Sequence, residues 1–380
     1  MTAKKRSHKV EKLARIYDDE VLPVWSERFG RLLLRGLRTP ERGQILDVAC
    51  GTGYPSVEIL RRMGPGCRLI AIDAASAMLD VARKKIAEID GASKKVFFRT
   101  ESVEPRLSFA DGVYDMVVCN LGLEEMDDPA AAIKDFARVT VPGGEVRCTL
   151  PLEGTFQEFY DIYREVLIKH DKHDAIERLN EHVARYPTGE QCESWMEQAG
   201  LTRRRVEVAE FSMLFKSSRE FFFAPVIEYG PLAEWKAIAG KGQEMQDVFW
   251  YIKEAIDAYF GGRAFQITVM AGCLVGSVRM PGDEDDTGRV ERIADLARQD
   301  LDVAVEVKPR ESGTEEIDLD ELEEMEMETL DNADPVAALP FEEESAGEID
   351  AFVEGRQRPT HLSGPFESPF DSDPFDDPDE

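Results

Sequence analysis

The run Ile45-Leu46-Asp47-Val48-Ala49-Cys50-Gly51-Thr52-Gly53-Tyr54-Pro55 holds the residue types best suited to grip a ligand. Its apolar start reads as a buried strand, the two glycines one residue apart as a tight turn, and Pro55 as the first turn of a helix. Glycine lets the backbone approach a ligand closely, and a helix start presents unpaired N–H groups to an anion. These residues describe a nucleotide-like ligand at the carboxyl end of a first strand. Two neighbours narrow the chemistry. Ser56 stands where a dinucleotide fingerprint wants a third small residue, usually Gly or Ala, and Asp47 lies four residues before Gly51. An acid there would repel a pyrophosphate but suits a ligand carrying an ammonium and a sulfonium, so a dehydrogenase is the weaker option. Asp73, twenty residues after Gly53, ends the next apolar run, where a carboxylate can accept the hydroxyl protons of an adenosine ribose.

The elements that must position these groups follow from periodicity. Residues 10–37 have helical spacing interrupted at Pro23. Five short apolar runs follow, at 44–49, 68–72, 95–99, 114–120 and 144–150, alternating with helical segments at 55–63, 77–89 and 129–139. This alternation implies right-handed crossovers and an α/β, doubly wound, mostly parallel sheet covered on both faces. Residues 155–185 read as one or two helices, and 188–199 as another that starts from a Thr cap. A strand is expected at 203–215, an aromatic-rich helical segment at 218–260 and a last strand at 265–278. The two late strands would pair antiparallel at a sheet edge, making seven strands in all.

The formal charge of −30 is concentrated at one end of the chain. Residues 283–380 contain 34 acidic and 7 basic side chains, a balance of −27, whereas residues 1–282 hold 42 and 39, a balance of −3. The chain therefore reads as a near-neutral domain over 1–282 with helical lid insertions at about 155–187 and 217–262, followed by an acidic, largely disordered tail over 283–380. Within the tail, Arg289 to Leu301 has a weak helical period and Glu315 to Leu330 is an acidic, Met- and Leu-spotted run. Three Pro-Phe pairs, at Pro365, Pro369 and Pro374, could insert rings into a basic groove on a protein partner or on the body itself. The six cysteines are scattered, with no C-x-x-C pair and no metal-ligand spacing, which argues against a zinc module or a disulfide framework and fits a reducing, cytoplasmic setting. No apolar stretch is long enough to span a bilayer, and the acidic balance disfavours nucleic acid.

Taken together, the motifs resemble those of the class I, Rossmann-like S-adenosylmethionine-dependent methyltransferases. Asp47-Val-Ala-Cys-Gly51-Thr-Gly53 is similar to their first motif, Ile72-Asp73-Ala74 with Met78 to the acidic end of strand two, and Thr100-Glu101-Ser102-Val103-Glu104 to the adenine-contacting segment. Tyr114 to Asn120, followed by Phe136 to Gly144 with its Pro142-Gly143-Gly144 turn, resembles the fourth strand and the approach to the fifth. The resemblance spans about residues 10–280, and the lid insertions look like those of small-molecule enzymes in the style of quinone C-methyltransferases and malonyl-acyl-carrier-protein O-methyltransferases. It implies S-adenosyl-L-methionine as cofactor, with Asp47, Ala49, Gly51, Thr52, Gly53, Asp73, Ala74, Met78, Glu101, Ser102 and Asn120 around it. The family commonly has Asp at the position of Glu101.

The expected activity is methyl transfer to O, N or C of a small, apolar or aromatic substrate. No residue declares itself a general base: Tyr17, Asn120, Glu124, His170 and His182 are candidates, and a nucleophilic substrate would need none. The interval between His170 and His173 has the reading of a solvated helix face rather than a metal site. Aromatic residues from Phe221 to Tyr259 divide between lid packing and a substrate pocket. The alternative is a non-catalytic, regulatory protein on a methyltransferase fold whose acidic tail docks a partner.

Overall fold

The computed structural model describes residues 10–282, 288–293 and 305–306. A first helix, α1, runs over residues 10–16 and continues through the wider turn Tyr17–Val21. After a break at 22–25 comes α2 (Ser26–Leu34), so the interruption falls around Pro23 as its ring predicts. The alternating part then follows: β1 (Arg42–Val48), α3 (Ser56–Arg62), β2 (Gly66–Asp73), α4 (Ser76–Ala87), β3 (Val96–Thr100), β4 (Tyr114–Asn120), α5 (Pro129–Val139) and β5 (Thr140–Pro151). β1 to β5 are all parallel to their neighbours, in the order β3-β2-β1-β4-β5. Both faces are covered, so the central strands are continuous apolar runs: every residue of β4 except Asp115 is buried.

The chain next inserts α6 (Gln157–Lys169), α7 (His173–Val183) and α8 (Gly189–Gln198). Thr188 caps α8 in a full capping box with Gln191, a closer fit than the single Thr cap read from sequence. β6 (Leu201–Phe215) follows, then α9 (Ser218–Phe222), α10 (Pro225–Glu228), α11 (Leu232–Ala239) and α12 (Gly242–Phe260), and finally β7 (Phe265–Val278). β7 lies between β5 and β6, antiparallel to both, so β6 again points the same way as β1.

Two short strands lengthen the seven-stranded sheet. β8 (Arg289–Arg292) and β9 (Val305–Glu306) pair in parallel with the outer edge of β6, β8 at Arg205–Val208 and β9 at Met213–Leu214. Residues 289–292 are thus extended rather than helical, a correction to the weak period read there; ladder hydrogen bonds along a free edge outweigh a sparse apolar repeat. The sheet thereby draws on residues assigned by sequence to the tail. Glu315 to Leu330 and the Pro-Phe pairs lie outside the described residues.

The inserted helices share one apolar core with α2, β6 and β7. Phe159, Phe221, Phe222, Trp235, Phe249 and Phe265 are all 1% exposed or less, and the Phe159 and Trp235 rings sit 4.1 Å apart between centroids. These rings pack the lid rather than face a ligand, whereas Phe223, Tyr229, Trp250, Tyr251 and Tyr259 keep partial exposure.

Candidate functional site

β1 ends in a strained turn at the carboxyl edge of the sheet. Ala49, Gly51 and Gly53 take positive φ of 51°, 53° and 95°. A side chain at Gly53 would meet Ala82 Cβ at 3.0 Å, whereas one at Gly51 would find nothing nearer than Tyr17 Cε1 at 3.9 Å. Gly53 therefore lets the loop close against α4, and Gly51 opens onto free space. Pro55 sits one residue before α3, as its cap, instead of inside its first turn.

Asp73 ties this loop to the next one. Its Oδ2 accepts the Gly51 N–H and its Oδ1 the Ala75 N–H, each at 2.8 Å. Burial pushes its pKa up while the two N–H groups hold it down. Ala74 and Met78, both half-buried, flank the end of β2. Behind the loop, fully buried Asp47 accepts the Ser56 hydroxyl at Oδ2, 2.5 Å away. Its Oδ1 has no partner, nor does the buried Thr52 hydroxyl. Burial raises Asp47 to about 7, against the Ser56 bond and with the help of the Asp73 charge. Two buried polar atoms without partners in one glycine turn leave hydrogen-bonding capacity that an ammonium or amide-like ligand group can use.

Glu101 and Asn120 are placed differently from expectation. Glu101 Oε1 accepts the Ser108 N–H at 2.7 Å and Oε2 lies 2.9 Å from Arg99 Nε in an ion pair without accepting a hydrogen bond, so the side chain braces its own loop. Ser102 is exposed and its hydroxyl accepts the Glu104 N–H. Asn120 is 7% exposed, donating to the Ser26 carbonyl at 3.1 Å and accepting the Thr149 hydroxyl at 2.8 Å. It fastens the start of α2 to β4 and β5. Arg147, buried on β5, donates to the carbonyls of Leu33 and Arg35 at 2.9 and 2.8 Å and so caps the other end of α2.

The turn after β4, Gly122–Glu125, brings two further carboxylates to this edge. Glu124 and Glu125 keep exposed surface, yet enclosure by protein raises both pKa values, Glu124 to about 8 with the charges of Glu125 and Glu234 adding to it. Tyr17 shares a 2.7 Å hydrogen bond with Ser26, and burial together with the charges of Glu125, Glu124 and Asp73 pushes its phenol up. Burial, Tyr160 and the charge of Glu124 push the Tyr186 phenol up. Tyr186 joins a buried chain: its hydroxyl lies 3.3 Å from that of Tyr160, which is 3.0 Å from His182 Nε2 and accepts Trp235 Nε1–H at 3.2 Å. His182 Nδ1 then lies 3.1 Å from Glu234, whose carboxyl is held at about 2 by His182 and Arg185.

Of the base candidates, Tyr17 stands beside Gly51, Glu124 lies on the turn after β4, His182 is joined to Tyr160 and through it to Tyr186, and Asn120 is held by Ser26 and Thr149. His170 is apart from them, stacked on Tyr251 with ring centroids 3.9 Å apart. Sequence reasoning missed Glu125, Tyr160 and Tyr186. The doublet Glu124-Glu125 straight after a buried strand was the available signal. Among the described residues, no group of three His, Cys, Asp or Glu could hold a metal ion, and no helix is long and apolar enough to cross a membrane.

Residues 45–144 match the methyltransferase domain family. A demethylmenaquinone methyltransferase of Staphylococcus aureus is 27% identical over 212 residues, covering 53% of this chain and 83% of that protein. Among solved structures, YcgJ of Bacillus subtilis superposes with a TM-score of 0.44 at 15% identity over 67% of this chain and 99% of its own. Geranyl diphosphate C-methyltransferase of Streptomyces coelicolor gives 0.38 at 13% identity over 66% and 77%. Likeness at that distance carries no residue role across. The matched segment begins in β1 and ends inside β5, enclosing the glycine loop, Asp73 and the Glu124-Glu125 turn, so this part of the chain carries the methyltransferase domain that the family describes.

Proposed function

We propose that the glycine loop and the end of β2 bind S-adenosyl-L-methionine, and that the chain passes its methyl group to O, N or C of a small, apolar or aromatic substrate held beneath the lid helices. The observation that carries this is the carboxylate of Asp73, fixed by two backbone N–H groups between loop and strand end, beside the unpartnered Asp47 Oδ1 and Thr52 hydroxyl. Asp73, with Ala74 and Met78 beside it, would hold the ribose; Ala49, Gly51, Thr52 and Gly53 would admit the methionyl part, and Asp47 would answer its ammonium. Ser102 would border the adenine. Glu101 and Asn120 would act by position, one bracing that border and the other anchoring α2 over the site.

The cofactor supplies an electrophilic methyl on a sulfonium, so the protein's task is to position, desolvate and, for a weakly nucleophilic acceptor, take up a proton. Tyr17 closes the site above Gly51, and the aromatic lid excludes water. Glu124, its pKa raised to about 8 by burial and the charges of Glu125 and Glu234, holds a proton more readily than an ordinary carboxylate and is the candidate to receive an acceptor proton. All six cysteines are buried and unpaired, which supports a reducing, cytosolic setting.

Calorimetry with S-adenosylmethionine and S-adenosylhomocysteine tests the reading. Both should bind the full chain, and Asp73→Ala should weaken them by roughly tenfold or more, since it removes a charge-assisted acceptor. No binding by the wild-type chain, or no effect of the substitution, would sink it. Mass spectrometry of material that co-purifies then identifies the substrate.

A further inference from the structure

We propose that α1 with its wide turn is the door through which the cofactor enters and leaves, and that the ion pair between Asp18 and Lys85 is its latch. This rests on the reading that the glycine loop holds the cofactor. Tyr17 stands over that loop, its Cε1 3.9 Å from the Cβ position of Gly51. Its hydroxyl shares a 2.7 Å hydrogen bond with Ser26 at the start of α2. The next residue, Asp18, pairs with Lys85 on α4. Lys85 lies about one turn beyond Ala82, the residue against which Gly53 closes. The covering turn therefore reaches from α2 to α4 across the glycine loop, and loop, α4 and turn make a closed ring.

The loop inside that ring is sealed from solvent. Asp47 and Thr52 are 0% and 1% exposed, yet Asp47 Oδ1 and the Thr52 hydroxyl have no partner. A ligand group that pairs with such atoms reaches them only when part of the wall moves. The rest of the wall belongs to the sheet and the helices that cover it, whereas α1 precedes the alternating part and joins it through the break at 22–25. Trp25, its ring stacked on Phe156 at 5.8 Å between centroids, fixes the far side of that break to the lid, so the hinge lies before it. Ala14, Ile16 and Val21 are buried, which makes α1 a seated cover. The ion pair is a different kind of fastening. The side chains of Asp18 and Lys85 keep 15% and 32% exposure, so the pair is weak enough to open and can be removed without emptying a core position.

Rapid filtration of labelled S-adenosylhomocysteine, first mixed with the full chain and then chased by unlabelled ligand, reads the rates of entry and exit. Removing a latch destabilises the shut form with and without ligand, so both rates should rise while their ratio holds. Asp18→Asn and Lys85→Met should each quicken association and dissociation by about two- to fivefold, with Kd within about twofold of wild type. The exchanged pair Asp18→Lys/Lys85→Asp should bring both rates back towards wild type. Thermal melting shows which variants are folded, and either single variant carries the test if the other is not. Unchanged rates in a folded single variant, or no recovery in a folded exchanged pair, overturn the proposal. Faster dissociation alone, with Kd weakened to match, also overturns it, because the pair then belongs to the binding site and not to a door. Failure of S-adenosylhomocysteine to bind wild-type protein overturns the cofactor reading, and this inference with it.

Discussion

Ser56 and Asp47 are joined by a 2.5 Å hydrogen bond inside the wall of the glycine loop, and the second oxygen of Asp47 has no partner. The serine that spoils a dinucleotide fingerprint is thus the donor that holds the loop's buried acid. With its pKa raised from 3.8 to about 7, Asp47 binds a proton in the folded chain that it lacks in the unfolded chain between those values. Its contribution to stability is therefore present below about pH 4 and is lost as pH rises toward 7. Asp47→Asn, which still accepts from Ser56, should be more stable than wild type at pH 8 by about 1–3 kcal/mol and equal to it near pH 4, while binding S-adenosylmethionine more weakly. Thermal unfolding at the two pH values checks the sign.

The two glycines of the loop should fail in different ways. Gly53→Ala meets both a φ of 95° and Ala82 at 3.0 Å, so it should destabilise the fold by about 1–3 kcal/mol. Gly51→Ala bears only the cost of its φ, about 1 kcal/mol, because its side chain points into open space. It should stay folded yet lose ligand binding, since that space is the proposed site. Denaturant melts beside calorimetry separate the two; equal losses of stability would contradict this division.

Much of the architecture was legible because it follows from local pattern. The bounds of β4, α5 and β7 coincide with the expected 114–120, 129–139 and 265–278, and the late strands pair antiparallel as their spacing implied. The glycine loop and Asp73 were equally legible, since the residues that make them adjacent are glycines and a strand-end acid. What sequence could not give were side-chain destinations set by distant elements. Asn120 was read as a ligand contact, but its amide is used by Ser26, 94 residues away, and by Thr149. Tyr160, His182 and Trp235 meet across three helices, with no shared periodicity to announce it. β8 was missed because Arg-Val-Glu-Arg has one apolar residue, and its extension comes from the edge of β6 rather than from itself.

The clamp on α2 offers a third check. Asn120→Ala removes two buried hydrogen bonds and leaves the Ser26 carbonyl and Thr149 hydroxyl short of a partner, which should cost about 1–3 kcal/mol. Because Tyr17 bonds to Ser26, the loss should also loosen the cover over Gly51. Amide exchange in residues 10–34 should accelerate more than exchange in β7. Uniform acceleration would mean that the clamp is not local.

Tyr160→Phe should likewise leave Trp235 Nε1–H and His182 Nε2 without their common partner inside the lid, at a cost of about 1–3 kcal/mol. Ligand binding at the glycine loop should survive. The measurement is a denaturation curve beside a calorimetric titration, and a large fall in cofactor affinity without loss of stability would give Tyr160 a different role.

The strands β8 and β9 bear on how the acidic extension can be handled. Both run parallel to β6, which points as β1 does, so the chain advances along the outer strand toward the same end of the sheet as the glycine loop. Cutting after residue 282 to remove the charge would strip the outer pairing from Arg205–Val208 and Met213–Leu214 and bare an edge that invites strand addition from another copy. A shortened protein made to isolate the catalytic body should therefore end after Glu306. One that stops at 282 would report self-association as though it were a property of the missing acids.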